Sequence, residues 1–253
     1  MTLKKRLILI VIAVATLPMI FIGTLGYYNA KMALQDLRME ELKSTTDLKA
    51  KKIEDFFMDQ KNHIRIAQLR PNIKKYASLL AQYSGDTSSP AYETIRDELD
   101  EALKMYPSVY DYANVLLANQ KGNIVYVLNR YSDLEDIRRT LPTFWYDAFE
   151  NGKKSVSLSD VFRSRHQAGQ ISAYLTAPIH DFDENFVGVM FLEIDMAAIF
   201  NLVQDTTGMG ETGETLIARK EDDSALFLNP LRHDPDAALK RKVVFGQSQA
   251  IPI

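Results

Sequence analysis

The side chains with chemistry to offer gather in the middle of the chain. Tyr126, Arg130, Trp145, Tyr146, Asp160, Arg163, Arg165 and Tyr174 combine fixed cations, a carboxylate and aromatic rings. A guanidinium holds a carboxylate, an aspartate holds an amine, and rings exclude water from both. Each charge-assisted hydrogen bond contributes about 1.5 to 3 kcal/mol, so two or three with ring burial reach the ~8 kcal/mol of a micromolar ligand. The set suits a small organic anion, an amine or an amino-acid-like molecule. A plainer reading remains open, with Trp145 and Tyr146 as the core of a short helix and Arg163 and Arg165 as exposed loop charges.

Catalytic chemistry is poorly supplied. The chain has no Cys, which excludes disulfides, thiolate metal sites, Cys nucleophiles and iron–sulfur clusters. His63, His166, His180 and His233 stand apart, so a zinc site or a His-based triad has no local basis. The carboxylates Asp181, Asp183 and Glu184, like Glu221, Asp222 and Asp223, sit in turn-like sequence and read as solvated charge. Gly208, Gly210 and Gly213 spell G-x-G-x-x-G, but a phosphate cradle needs a strand leading in and a helix leading out, and here that order is reversed. No enzymatic activity, metal or cofactor is expected. A net charge of −3, from 30 basic and 33 acidic side chains, gives no field to attract nucleic acid.

The elements that position these residues start with an apolar run. Residues 7–28, LILIVIAVATLPMIFIGTLGYY, carry no charge and are long enough as a helix to cross a hydrocarbon layer of ~30 Å. Lys4, Lys5 and Arg6 assign residues 1–6 to the cytoplasm, although Lys31 and Arg38 weaken the bias. Tyr27 and Tyr28 fit the far headgroup level. A cleaved signal peptide is the competing reading, but its apolar region is shorter and ends in a small-x-small pattern that this run lacks. The rest of the chain has no second stretch of this kind and is expected outside the cytoplasm.

From residue 30 to about 69, Leu34, Leu37, Leu42, Leu48, Ile53, Phe56 and Ile64 form a thin apolar stripe along one long helix. That helix lies against a domain or against a second copy of itself, so a homodimer is expected. Pro71 interrupts it, Ile73, Tyr76, Ala77 and Leu80 mark a second helix, and Ser89 with Pro90 begins a third. Residues 112–118 and 124–128 read as one hairpin, and residues 171–179 and 186–194 as another. Between them runs a connection, 129–170, with the single Trp and a short helix over 142–149; a connection this long is where a ligand site is expected. Asp195 caps a helix over 196–204. Strands over 215–219 and near 225–228 follow, then a helix with Asp234 as N-cap and Pro235 first, running to Lys242. Residues 208–253 are too few to bury a self-sufficient core, so they read as the start of a second module that is cut off. The fold class is α+β.

Leu158-Ser-Asp-Val161, Thr176-Ala-Pro-Ile179, the strand ending at Asp195 and the tract GMGETGETLIARK from Gly208, set behind an anchor and a long helix, resemble the double Cache family. These are extracytoplasmic PAS-like sensor domains of bacterial chemoreceptors, sensor histidine kinases and cyclic-nucleotide signalling proteins. The resemblance implies a long helix and a membrane-distal, ligand-binding PAS-like module over 30–205, and an incomplete membrane-proximal PAS-like module over 208–253. It implies a single-pass protein of the bacterial cell membrane, with its bulk periplasmic or extracellular. Its role would be small-molecule sensing in signal transduction, chemotaxis or two-component type, with the output domain elsewhere. In amino-acid-binding members, an Arg-x-Trp-Tyr element and two aspartates hold the ligand. Trp145, Tyr146, Asp160 and Asp195 match, whereas Thr143 stands in place of the arginine, so Arg130, Arg139 or Arg163 must substitute. For Asp195 the helix-cap role is a rival explanation. The alternative function is a membrane-tethered, dimerising adaptor without a small ligand, which a filled core in place of an aromatic-lined pocket would favour.

Overall fold

The computed structural model describes residues 3–82, 89–129, 141–165, 169–207, 209–211 and 213–246. They fall into two units, one made of Met1–Lys51 and Thr207–Thr212, the other of Lys52–Thr206 and Gly213–Ile253.

The apolar run, in the first unit, and the polar stretch after it, which continues into the second, belong to one helix. This helix, α1 (Leu3–Gln68), measures about 100 Å at 1.5 Å per residue. It is the one helix among the described residues long and apolar enough to cross a membrane, with a mean hydropathy of 2.6 in its most apolar window and none of that window buried. The hydroxyls of Thr16 and Thr24 bond back to the carbonyls of Ile12 and Phe21, so neither needs water as a partner.

The second unit is built on a five-stranded antiparallel sheet. Its strands are β1 (Tyr112–Asn119), β2 (Ile124–Val127), β3 (Ser157–Arg163), β4 (Ile171–His180) and β5 (Phe186–Asp195), in the order β2-β1-β5-β4-β3. Helices cover both faces, which is why β4 and β5 read as almost unbroken apolar runs rather than alternating ones. On one face the end of α1, α2 (Pro71–Gln82) and α3 (Pro90–Leu103) bury Ile64, Ile73, Leu80 and Leu99 against Val115, Leu117, Leu175 and Leu192. Ser89 caps α3 as its sequence demands, its Oγ accepting from the Tyr92 N–H at 3.3 Å. A short α4 (Met105–Tyr110) leads from α3 into β1.

On the other face α5 (Trp145–Lys154) packs Trp145 and Phe149 onto Leu116, Ala118, Val189 and Phe191. This helix begins and ends later than the expected 142–149. Gly152 lies within the helix, and a Cβ there would meet Thr176 and Val189 at 2.8 Å. The helix seats on the sheet through that missing side chain. After β5, α6 (Ala197–Gln204) buries Ile199, Phe200 and Val203 with Ile171 and Ala173.

A second, three-stranded sheet contains β6 (Ala218–Glu221), β7 (Ser224–Phe227) and β8 (Lys242–Val244), in that order. The helix expected from Asp234 to Lys242 does not form. Leu239 donates to the Phe227 carbonyl at 2.8 Å and the Arg241 carbonyl accepts from Phe227 at 3.0 Å, so the edge of β7 takes the backbone that a helix would use. Leu239 has φ +61, outside any right-handed helix. The Asp234, Pro235 and Lys240 signals are genuine helix signals that sheet pairing overrides.

Candidate functional site

A cavity of about 480 Å³ opens on the α5 face of the large sheet. Its floor follows from strand register. Glu193 on β5 pairs with Asn114 on β1 and with Tyr174 on β4, so three side chains stand in one row across three strands. Their alternate neighbours, Val115, Leu192 and Leu175, point the other way into the helix-covered core. The Asn114 amide is anchored, donating to the Asn129 carbonyl at 3.0 Å and accepting from the Asn129 N–H at 2.9 Å.

The wall comes from β3, where the register shifts between Leu158 and Val161. Such irregularities re-aim side chains. Here Ser159 Oγ takes the Tyr174 N–H at 2.8 Å, and Asp160 lines the cavity. Aromatic packing steadies the Tyr174 ring. Phe162 lies 4.6 Å from it, and Trp145 meets it edge-on at 5.7 Å. Trp145 is itself stacked on Phe191 at 4.1 Å and donates from Nε1 to the Gly122 carbonyl at 3.0 Å.

The charges sit at two depths. Glu193 is deep, at 4% exposure, with a polar but incomplete set of partners. Burial pushes its carboxyl above the usual range, and the nearby Ser172 and Ser164 hydroxyls offset only part of that. Its Oε1 and the Ser172 hydroxyl lack a well-placed hydrogen-bond partner among the described residues. Burial, with Glu193 alongside, holds the Tyr174 phenol well above its ordinary value. Nearer the mouth, Asp160 pairs with Arg219, which also pairs with Glu221. Arg163 donates to the carbonyls of Gly169 and Ala238 at 3.1 and 3.0 Å.

Asp160, Arg163, Arg165 and Tyr174 therefore meet at one cavity, and Thr143 lines it as well. Trp145, 1% exposed, stands behind Tyr174 as its support. Tyr146 does not join them, being 63% exposed. Tyr126 lies on the opposite face of the sheet, its hydroxyl donating to Asp100 at 2.7 Å. Asp195 accepts the Ala197 N–H at 2.8 Å, the helix-cap geometry, and borders a different cavity with Gln60 and Tyr112. Arg130, Arg139 and His166 lie outside the described residues.

Sequence reasoning missed Glu193, Asn114 and Arg219. A signal existed for Glu193, a carboxylate at an inward position of the run FVGVMFLEI, where a lone charge has no packing use. Nothing local marks Arg219, since only tertiary folding carries it to the cavity. Chemically, carboxylates and guanidinium groups lining one cavity can hold a donor and an acceptor on one small molecule.

No family model matches the sequence, and no curated protein matches it. Among solved structures, the chain is similar to the sensor domain of the V. cholerae histidine kinase DctB, with 18% identity and a TM-score of 0.55 over 76% of this chain and 66% of that one. It also aligns with the ligand-binding domain of the Pseudomonas fluorescens chemoreceptor CtaA in complex with L-serine, at 12% identity and a TM-score of 0.49 over 77% and 71%. A third alignment is with the ligand-binding domain of the Campylobacter jejuni chemoreceptor Tlp3 in complex with 4-methylisoleucine, at 18% identity and a TM-score of 0.44 over 67% and 64%. The chain thus spans slightly less than two thirds of the length of the DctB and Tlp3 domains. The fold is α+β and PAS-like, and it is similar to that of the DctB sensor domain.

Proposed function

We propose that this chain is the extracytoplasmic small-molecule sensing region of a bacterial membrane receptor of the chemoreceptor or sensor histidine kinase type, and that it is not itself catalytic. The carrying observation is the cavity of about 480 Å³ on a PAS-like fold, with Glu193 at its floor and Asp160, Arg163 and Tyr174 around it. In this reading residues 7–28 cross the cell membrane once, residues 1–6 are cytoplasmic, and residues 30–205 hold the long helix and the ligand-binding module. Residues from 208 onward belong to a second PAS-like module. A homodimer is supported by the stripe of Leu34, Leu37 and Leu48 on α1, all exposed on the isolated chain.

A buried carboxylate whose neighbours leave it short of donors favours a ligand that brings them, an ammonium above all. An amino-acid-like molecule or an amine therefore fits better than a simple anion. The ligand acts as a signal only through unequal affinity for two arrangements of the protein.

The test is a thermal-shift and calorimetric screen of the full chain in detergent against amino acids, organic acids, amines and purines. Binding by a member of one class, lost in Glu193→Gln, supports sensing. A cavity that takes none of them, in a chain that still dimerises, would leave the tethered adaptor as the better account.

A further inference from the structure

The cavity has a second wall that the large sheet does not own. Arg219 on β6, Leu226 on β7 and Leu239 beside it all line the space, facing Asn114, Glu193 and Tyr174 across it. Two polar contacts, the Asp160–Arg219 ion pair and the Arg163 bond to the Ala238 carbonyl, join this wall to β3, beside the packing of Ala238 against Ile171 and Ala173. The two arginines differ in what they could give up. Arg163 satisfies backbone carbonyls, which would be stranded if it turned to a ligand. Arg219 is held by carboxylates, and Asp160 is 39% exposed on its side chain, so water can solvate it once released. A ligand carboxylate can thus replace Asp160 on Arg219 like for like, without stripping the guanidinium of a partner.

We infer that Arg219 is the residue that binds the ligand's carboxylate, and that capture exchanges the Asp160–Arg219 pair for a ligand–Arg219 pair, so that the guest joins the small sheet to the large one. This deepens the sensing reading above and rests on it. It also answers the absence of an arginine at Thr143 with a cation from another sheet. Once released, Asp160 stands with Glu193 as an acceptor for the ligand's amine.

Three probes of one length separate the charges: succinate, 4-aminobutyrate and 1,4-diaminobutane. Binding is read on the full chain in detergent from Trp145, the single Trp, which touches Tyr174 edge-on. The zwitterion should bind best. Arg219→Gln should weaken succinate and 4-aminobutyrate by about 10- to 100-fold, the loss of one charge-assisted bond, and should strengthen the diamine by freeing Asp160. Asp160→Asn should act with the opposite sign, strengthening succinate and weakening the diamine, which a merely structural role would not do. Hydrogen exchange supplies a ligand-free readout, because Asp160→Asn should speed exchange at the β6 amides.

If Arg219→Gln leaves succinate and 4-aminobutyrate unchanged while Glu193→Gln abolishes 4-aminobutyrate, this inference falls and the sensing site stands. If Arg165→Gln produces the loss instead, the wall is misassigned. If none of the three probes moves Trp145 emission in the unaltered chain, a charged-ligand site falls and the inference with it.

Discussion

Glu193 shows how one buried group ties stability to binding. Its carboxyl titrates above the ordinary range because burial disfavours the charged form, while Asp195 adds repulsion. The folded protein therefore keeps a proton that the unfolded chain releases, and stability from this group falls as pH rises between the two titration points. Glu193→Gln should flatten that slope in pH-dependent melts and raise the melting temperature of the ligand-free protein near neutral pH. An ammonium ligand beside Glu193 favours the charged form, so binding at a pH below the free protein's titration point should release a proton, seen as a dependence of calorimetric heat on buffer ionisation. Tyr126 should behave differently. Tyr126→Phe removes a hydrogen bond to Asp100 worth about 1.5 to 3 kcal/mol and should lower melting temperature without altering ligand affinity, because its ring lies across the sheet from the cavity.

At the scale of elements, the two central hairpins were legible because apolar β-branched and aromatic runs flank clear turns, and α3 because Ser89 and Pro90 mark its start. What escaped was decided by tertiary pairing. The segment after Asp234 carries every local helix mark, yet it joins the edge of β7. Half of the site was equally legible. Asp160, Arg163 and Tyr174 could be picked out by residue type, but Tyr126 and Glu193 could be sorted only by knowing which face of the sheet each occupies. Close packing of the strands gives its own prediction. A Cβ at Gly188 would stand 2.1 Å from the Ala118 carbonyl oxygen of β1, so Gly188→Ala must push two backbones apart. Overpacking of this kind costs about 1 to 3 kcal/mol, measurable by denaturant unfolding.

For the whole molecule, the natural lack of Cys makes single-cysteine chemistry clean. If two copies meet along α1, Leu37→Cys should form a disulfide-linked dimer in membranes under mild oxidation, while a cysteine at Tyr146, exposed on another element, should not. A monomer in both cases would remove the dimer. Protease added to spheroplasts should digest everything beyond residue 30 and leave residues 1–28 with the membrane; protection of the large sheet would reverse the topology.

The large sheet is wrapped on both sides, and β5 has a foot in each compartment. Glu193 faces the cavity, while Leu192 and Ile194, its immediate neighbours, are wedged against the helices that include the end of α1. If a guest binds as proposed above, its pull on that carboxylate would be felt by the two aliphatic side chains beside it, through a backbone one residue thick. On that proposal, news of an arrival needs no chain of intermediaries; the partition between the two rooms would itself be the messenger.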